Sequence, residues 1–193
     1  FHLCARDDAG NWGAAGTYGP WTIDTTAPTV SGIDSVAAVD WTGDGASAID
    51  VALTKLLVTF DDAMAESGAG AVTAAANWLL VEAGPDLGRD TTDCTGAADD
   101  DLAVPVAGFA YDAGLRTAAL AVGPGTGLPA GIYRLLACPT LTDAAGNGLD
   151  GADNGGGAEE HAVDFAVVVT PRLVNPNFDD DLAGWMLTGP ALA

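Results

Sequence analysis

Hydrophobic and polar positions alternate along much of this chain, in short runs separated by Gly, Asp, Asn and Pro. In Thr54–Phe60, the side chains of Leu56, Val58 and Phe60 fall on one face. In Ala162–Val169, Val163, Phe165, Val167 and Val169 share a face, with Asp164 and Ala166 opposite. A period of two marks half-buried strands, because successive side chains point to opposite sides of a sheet. Val104–Tyr111 and Leu115–Val122 flank Asp112-Ala113-Gly114, which predicts a hairpin with Gly114 in the left-handed conformation. Gly131–Cys138 and Trp78–Ala83 read as further strands. Residues 61–77 hold the only plausible helical turn, in the short Ala-rich stretch Ala71–Ala76. Strands at regular spacing, with turn residues between them, predict an all-β sandwich.

Two boundaries divide the chain. Asp24-Thr25-Thr26-Ala27-Pro28 is an extended stretch ending in Pro, and Thr170-Pro171 follows the last strongly apolar strand. They give a flank at 1–27, a central domain at 28–170 and a second flank at 171–193. Each flank is too short to bury a core alone. Phe1 opens the chain without an initiator Met or a signal-like segment, so the expectation is a piece of a longer precursor or a mature product.

Several segments carry a family resemblance. Ala5-Arg6-Asp7-Asp8-Ala9-Gly10-Asn11-Trp12, followed by Ile23–Pro28, resembles the last strands of a bacterial Ig-like or fibronectin-III-like repeat. The centre resembles the bacterial Ig-like domain of the SbsA type, found in S-layer and large surface proteins. The matching segments are Leu57–Met64, Ala76–Leu80, Tyr111-Asp112 with Arg116–Ala118, Leu128–Tyr133, Leu141–Asn147 and Asp164-Phe165. The tail, Leu173–Phe178 and Leu182–Trp185, resembles the opening of a carbohydrate-binding-type jelly roll. The Asp- and Cys-bearing insertion at 86–101 departs from the family pattern. The resemblance implies an Ig-like antiparallel β-sandwich with partial flanking strands. A free end strand leaves unpaired backbone groups, so strand addition from a neighbouring copy, head to tail, is one expected mode of assembly. A fragment of a longer multidomain chain is the other reading.

Composition narrows the function. Against 27 Asp plus Glu stand 6 Lys plus Arg, a net charge of −21 over 193 residues. Only four of the acids are Glu. Such a chain lacks the clustered cations that grip nucleic acid or an anionic membrane. With 49% hydrophobic residues it still has the material for a packed core. No apolar run is long enough to span a bilayer, so no membrane insertion is expected. Low Lys, abundant Asp, Gly and Thr, and scattered Cys suit an extracellular setting. The charge gathers in 86–101, in 143–164 and in Asp179-Asp180-Asp181.

The acidic loops supply the metal candidates. Asp143, Asn147, Asp150, Asp153 and Asn154 place oxygen ligands at short spacing among glycines, as calcium requires. The spacing is not that of an EF-hand. Asp40-Trp41-Thr42-Gly43-Asp44-Gly45, with Asp50, is a second candidate. The competing reading is that Asp and Asn cap turns through the local backbone. Asp7–Asn11 repeats the pattern of Asp143–Asn147, as if one hairpin corner recurred in two successive modules. Three cysteines leave one unpaired within the chain. Cys94 with Cys138 is the favoured pair, although sequence alone does not fix connectivity and three buried thiols is the alternative.

Catalysis finds little support. His2 and His161 are the only histidines, and no Gly-x-Ser-x-Gly elbow occurs. Trp12, Trp21, Trp41, Trp78 and Trp185 are candidates for stacking on glycans, with core packing the better role for Trp78 and Trp185. The expectation is a non-catalytic structural module of a secreted or cell-surface bacterial protein: a spacer, an adhesive or a fibre-forming subunit. Its partners would be copies of itself or neighbouring modules. The alternative is a carbohydrate-binding accessory segment of a large secreted polysaccharide-active protein.

Overall fold

The computed structural model describes residues 2–14, 16–17, 23–35, 48–49, 53–123, 125–167, 172–173 and 187–188. The strands are β1 (His2–Leu3), β2 (Gly16–Thr17), β3 (Val30–Ser35), β4 (Ala48–Ile49), β5 (Lys55–Phe60), β6 (Trp78–Glu82), β7 (Leu102–Ala103), β8 (Val106–Asp112), β9 (Thr117–Val122), β10 (Gly131–Ala137), β11 (His161–Val167), β12 (Arg172–Leu173) and β13 (Leu187–Thr188). Among the described residues the one 3₁₀ turn, Ala75–Asn77, overlaps the end of the expected Ala-rich stretch.

Two sheets form a sandwich. One has the order β3-β5-β9-β8 and is antiparallel throughout. The other has the order β11-β10-β6-β7, with β4 lying parallel to β11 at its edge. Lettered along the chain, these are A-B-E-D facing A′-G-F-C-C′, the strand order of the immunoglobulin fold. The flanking pairs β1–β2 and β12–β13 are each formed within the chain.

Alternation fills the space between the sheets. Leu56, Val58 and Phe60 of β5 and Leu120 and Val122 of β9 meet Trp78, Leu80, Leu135, Val163 and Phe165 from the other sheet. Phe60 packs against Trp78 with ring centroids 6.4 Å apart, joining the two layers. The Trp78 indole N–H donates to the Val72 carbonyl at 2.8 Å, so the buried ring keeps its polar group satisfied.

Two strands break the period of two and still bury apolar side chains. In β3 the register shifts between Val30 and Gly32, and in β8 between Val106 and Gly108. Each bulge adds a residue, so Val30 and Ile33, and Val106 and Phe109, three apart, both pack on the core. The β8–β9 hairpin differs from expectation at its turn. The left-handed residue is Arg116, φ 54°, and Gly114 does not adopt a positive φ. The reason is local: the Asp112 carboxylate accepts the Gly114 and Leu115 amides and fixes the first half of the turn. The reversal is left to Arg116, whose guanidinium donates to the Asp61 carbonyl.

Tyr133 locks the start of β10. Its ring is fully buried and stacks on Phe165 at 5.4 Å, while its hydroxyl donates to the Pro129 carbonyl four residues upstream. This is the tyrosine-corner arrangement of Ig-like sandwiches. Burial, and secondarily the Glu82 charge, push the Tyr133 pKa from 10.0 up to about 12. An unfolded chain therefore releases this proton first, so its contribution to stability is complete below pH 10 and is lost as pH rises towards about 12. Tyr133→Phe is expected to cost about 1 kcal/mol at neutral pH, because water reaches the exposed Pro129. It should also flatten the alkaline fall in stability. Urea titrations at neutral pH and above pH 10 measure both effects, and an equal alkaline slope in the two proteins would exonerate Tyr133.

Candidate functional site

The corner between β10 and β11 holds the first group of candidate ligands. Asp143 is 2% exposed. Its Oδ1 accepts the Ala145 and Asn147 amides, and its Oδ2 accepts the Asn147 side-chain amide at 2.7 Å. Asp150 is 3% exposed and accepts the amides of Asn154 and Gly155. Asn154 donates to Glu159. These carboxylates cap turns: buried between backbone N–H groups, they satisfy donors that a tight reversal leaves free. Asp143→Ala is expected to cost about 1–3 kcal/mol, since three donors lose their acceptor. Chemical denaturation checks this, and an unchanged midpoint would mean that the corner closes without the carboxylate.

The same corner is built at the N-terminal flank. Asp7 accepts the Asn11 amide at 2.8 Å and its side-chain amide at 3.1 Å. The Asp7 amide donates to the Asn11 carbonyl and the Gly10 amide to the Asp7 carbonyl, as Asp143, Asn147 and Gly146 do. The bridge Arg6↔Trp12 corresponds to Thr142↔Gly148, and the bond from Gly13 to Ala5 corresponds to that from Leu149 to Leu141. Gly10 and Gly146, at φ 90° and 97°, take a conformation that L side chains rarely adopt. The Asn11 side chain, then its backbone amide, hold the Asp7 carboxyl below its ordinary range.

The segment leading into the sandwich lies against the 143–158 corner. Asp150 donates its amide to the Pro28 carbonyl, and Thr29 donates to the Asp61 carboxylate at 2.7 Å. A groove of about 630 Å³ runs between them, lined by Thr25, Thr26, Asp61, Asp150, Asp153 and the backbone of Gly155 to Gly157. Of the five expected calcium ligands, Asn147 bonds to Asp143 and Asn154 to Asp150, and the three carboxylates Asp143, Asp150 and Asp153 do not form one close group. Asp143 converges instead with Asp24 and Asp62, their oxygens within 4.8 Å of one another. Each of these three already accepts a backbone amide, from Asn147, Thr26 and Ala63 respectively. Asp153 lies apart on the groove wall with φ 51°. The candidate at Asp40–Gly45 with Asp50 lies outside the described residues.

The acidic insertion connects β6 to β7 and folds across the outer face of its own sheet. Cys94 is disulfide-bonded to Cys138, at the far end of β10 from the point where the insertion leaves β6. Cys4 is free and exposed. Arg134, pointing outward from β10, donates through Nε and Nη2 to both oxygens of Asp164, and through Nη1 to the Thr91 carbonyl. That bidentate pairing, then the charges of Asp164 and Asp101, hold the guanidinium's pKa up against burial. Arg89 reaches Asp164 at 3.5 Å. Beneath this strap Val81 and Leu136 are at most 1% exposed, as is Thr91 within it, although none belongs to the core cluster between the sheets. The sequence expectation missed this cover. Its signal was present in Leu135-Leu136-Ala137 and Leu79-Leu80-Val81, which are apolar on both faces.

The remaining candidates separate by exposure. Trp78 is buried and unavailable to a glycan, while Trp12 is 67% exposed with Arg6 over its ring at 5.6 Å. Trp21, Trp41 and Trp185 lie outside the described residues. His161 Nδ1 sits 3.0 Å from the Gly151 carbonyl. Among the described residues no helix is long and apolar enough to cross a membrane. No protein-family model, curated protein or solved structure matches this chain.

Proposed function

We propose that this chain is a non-catalytic structural module of a secreted or cell-surface protein, one link in a row of related β-sandwiches. The observation that carries the reading is the repeated corner, Asp7–Asn11 and Asp143–Asn147, closed by matching bonds. A recurring local structure at equivalent places is what a tandem array produces. The course of the chain agrees. Pro28 and Thr29 are bonded at the pole where β11 begins, and Val167 ends β11 at the opposite pole. Modules joined at opposite poles extend end to end. The segment before β3 is tied to the sandwich by Asp61 and Asp150, which suits a spacer that holds its direction. The disulfide fits an oxidising compartment, and the acidity fits an extracellular surface rich in cations. A bacterial Ig-like module of the surface-layer kind remains the family expectation, with neighbouring modules as partners.

Stretching single molecules from both ends tests the mechanical role. The expected record is a cooperative unfolding event, and reduction should then lengthen the extended chain by roughly 150 Å, the 44-residue separation of the two cysteines at about 3.4 Å each. Gradual extension without a cooperative event would count against a spacer.

A further inference from the structure

Two Asn-Gly pairs lie among the described residues, Asn147-Gly148 and Asn154-Gly155, and their surroundings differ. With no Cβ on the following residue, its backbone nitrogen can close on the asparagine carboxamide. At Asn154 each atom of that reaction already has a partner. The Gly155 N–H, which carries the attacking nitrogen, donates to Asp150 Oδ2 at 2.6 Å. The Gly156 N–H donates at 2.7 Å to Asn154 Oδ1, the oxygen on which negative charge would develop. The Asn154 side-chain N–H donates at 3.1 Å to Glu159 Oε2, at the nitrogen that would leave. Asp150 Oδ1 also accepts the Asn154 backbone amide, which fixes the carboxylate beside the attacking nitrogen. Asp150 is buried, whereas Asn154 and Gly155 are exposed, so the base is shielded and the carboxamide is open to water. Glu159 is brought to the turn by backbone pairing: its amide donates to the Leu149 carbonyl, and its carbonyl accepts the Gly151 amide.

Asn147 lacks this arrangement. Asp143 takes its backbone amide through Oδ1 and its side-chain amide through Oδ2, and the side chain also donates to the Asp24 carbonyl. Among the described residues no carboxylate accepts the Gly148 N–H, and no N–H donates to Asn147 Oδ1. Gly148 is half-buried, and a Cβ there would stand 3.3 Å from that of Ala158, whereas a Cβ on Gly155 would meet nothing within 4 Å. The leaving nitrogen of Asn147 is held, but neither a base nor a donor for the developing charge stands opposite it.

We propose that Asn154 is a self-modifying site, at which Asp150 promotes loss of the side-chain amide through a succinimide with Gly155. Asp150 Oδ2 takes the Gly155 amide proton as that nitrogen bonds to Asn154 Cγ, and the Gly156 N–H holds the oxygen that becomes negative. The proton passes through water to Nδ2, which Glu159 stabilises as it becomes cationic. The Cγ–Nδ2 bond then breaks, ammonia departs and the carbonyl re-forms within a five-membered ring. One water opens the ring at either carbonyl, leaving aspartate or isoaspartate at that position. The sum is one water consumed and one ammonia released, with no oxidant or reductant. The product adds a carboxylate beside Asp150 and Glu159, and isoaspartate also lengthens the main chain of the turn by one carbon. The site does not depend on the spacer reading.

Incubation of the folded full chain at neutral pH and physiological temperature, followed by peptide mapping with fragmentation, tests it. Asn154 is expected to convert first, through a species lighter by one ammonia, while Asn147 in the same sample stays an amide. Asp150→Asn keeps an acceptor for the turn and removes the base. It should slow conversion by about a hundredfold, the lower end of what a positioned general base contributes. Glu159→Gln leaves the Asp150 bonds in place and should slow conversion several-fold. Asn154 still intact when Asn147 has converted, or equal rates at the two, overturns the proposal. So does a rate unchanged or raised in Asp150→Asn, which would make that carboxylate a turn cap and nothing more. If Asp150→Asn does not fold, an unchanged rate in Glu159→Gln overturns it instead.

Discussion

Phe165→Ala is expected to lower the free energy of unfolding by about 3–5 kcal/mol and Tm by about 10–15 °C. Phe165 is fully buried at the middle of β11 and stacks on Tyr133, its cross-strand partner in β10. The deletion therefore removes apolar area, a ring contact and the support of the tyrosine corner together. Neighbouring Leu135 sits on β10, held by hydrogen-bond ladders on both sides, and Val163 on β11, laddered to β10, so they have little freedom to collapse into the gap. Phe165→Leu, which keeps most of the volume, should cost far less, on the order of 1 kcal/mol. Urea unfolding measures both. The midpoint should fall while the slope stays constant, as for a cooperative domain that loses packing without changing its exposed surface. A loss below about 1 kcal/mol for alanine would mean that Phe165 does not stand between two packed sheets.

The strands that sequence reveals best are those where burial follows a period of two without interruption. β5, with Leu56, Val58 and Phe60, and β11, with Val163, Phe165 and Val167, are of this kind. β3 escapes because its bulge between Val30 and Gly32 places inward residues three apart, a spacing that resembles neither strand nor helix. β4 and β7 are two residues each, too short for any period to register. The Asp143–Asn147 corner is legible because its bonds span four residues or fewer, so adjacent letters state the contact. The convergence of Asp24, Asp62 and Asp143 is not, since it needs three separated segments to meet. The acidic strap lies between these cases. Its composition suggests a solvated loop, yet Arg134 and Cys138 on the outward face of β10 draw it down over Leu136. A run of Asp therefore says little about exposure when a disulfide and an arginine sit opposite it.

Removing the Cys94–Cys138 bond is expected to cost up to about 4 kcal/mol, from the freedom returned to a loop of 44 residues in the unfolded chain. Tm should fall by about 10 °C. The native state should change as well, in a confined way. Neither cysteine belongs to the cluster between the sheets, so the sandwich keeps its core when the bond is cut. What loosens is the strap: Arg134 holds it through two backbone carbonyls, and Arg89 through one longer contact with Asp164. Val81 and Leu136 then become accessible, and Arg89, already partly exposed, becomes a preferred trypsin site. The cleanest comparison pairs Cys94→Ala/Cys138→Ala with the oxidised protein, both carrying Cys4→Ser so that the exposed free thiol cannot exchange. Limited trypsin digestion read by mass spectrometry should show cleavage after Arg89 well before any cut within β5, β9 or β11. If the bond is removed and both Tm and the rate of cleavage at Arg89 stay as they were, the strap is held by its salt bridges and backbone bonds alone. In that case the disulfide is not what keeps the acidic cluster in place on the sheet.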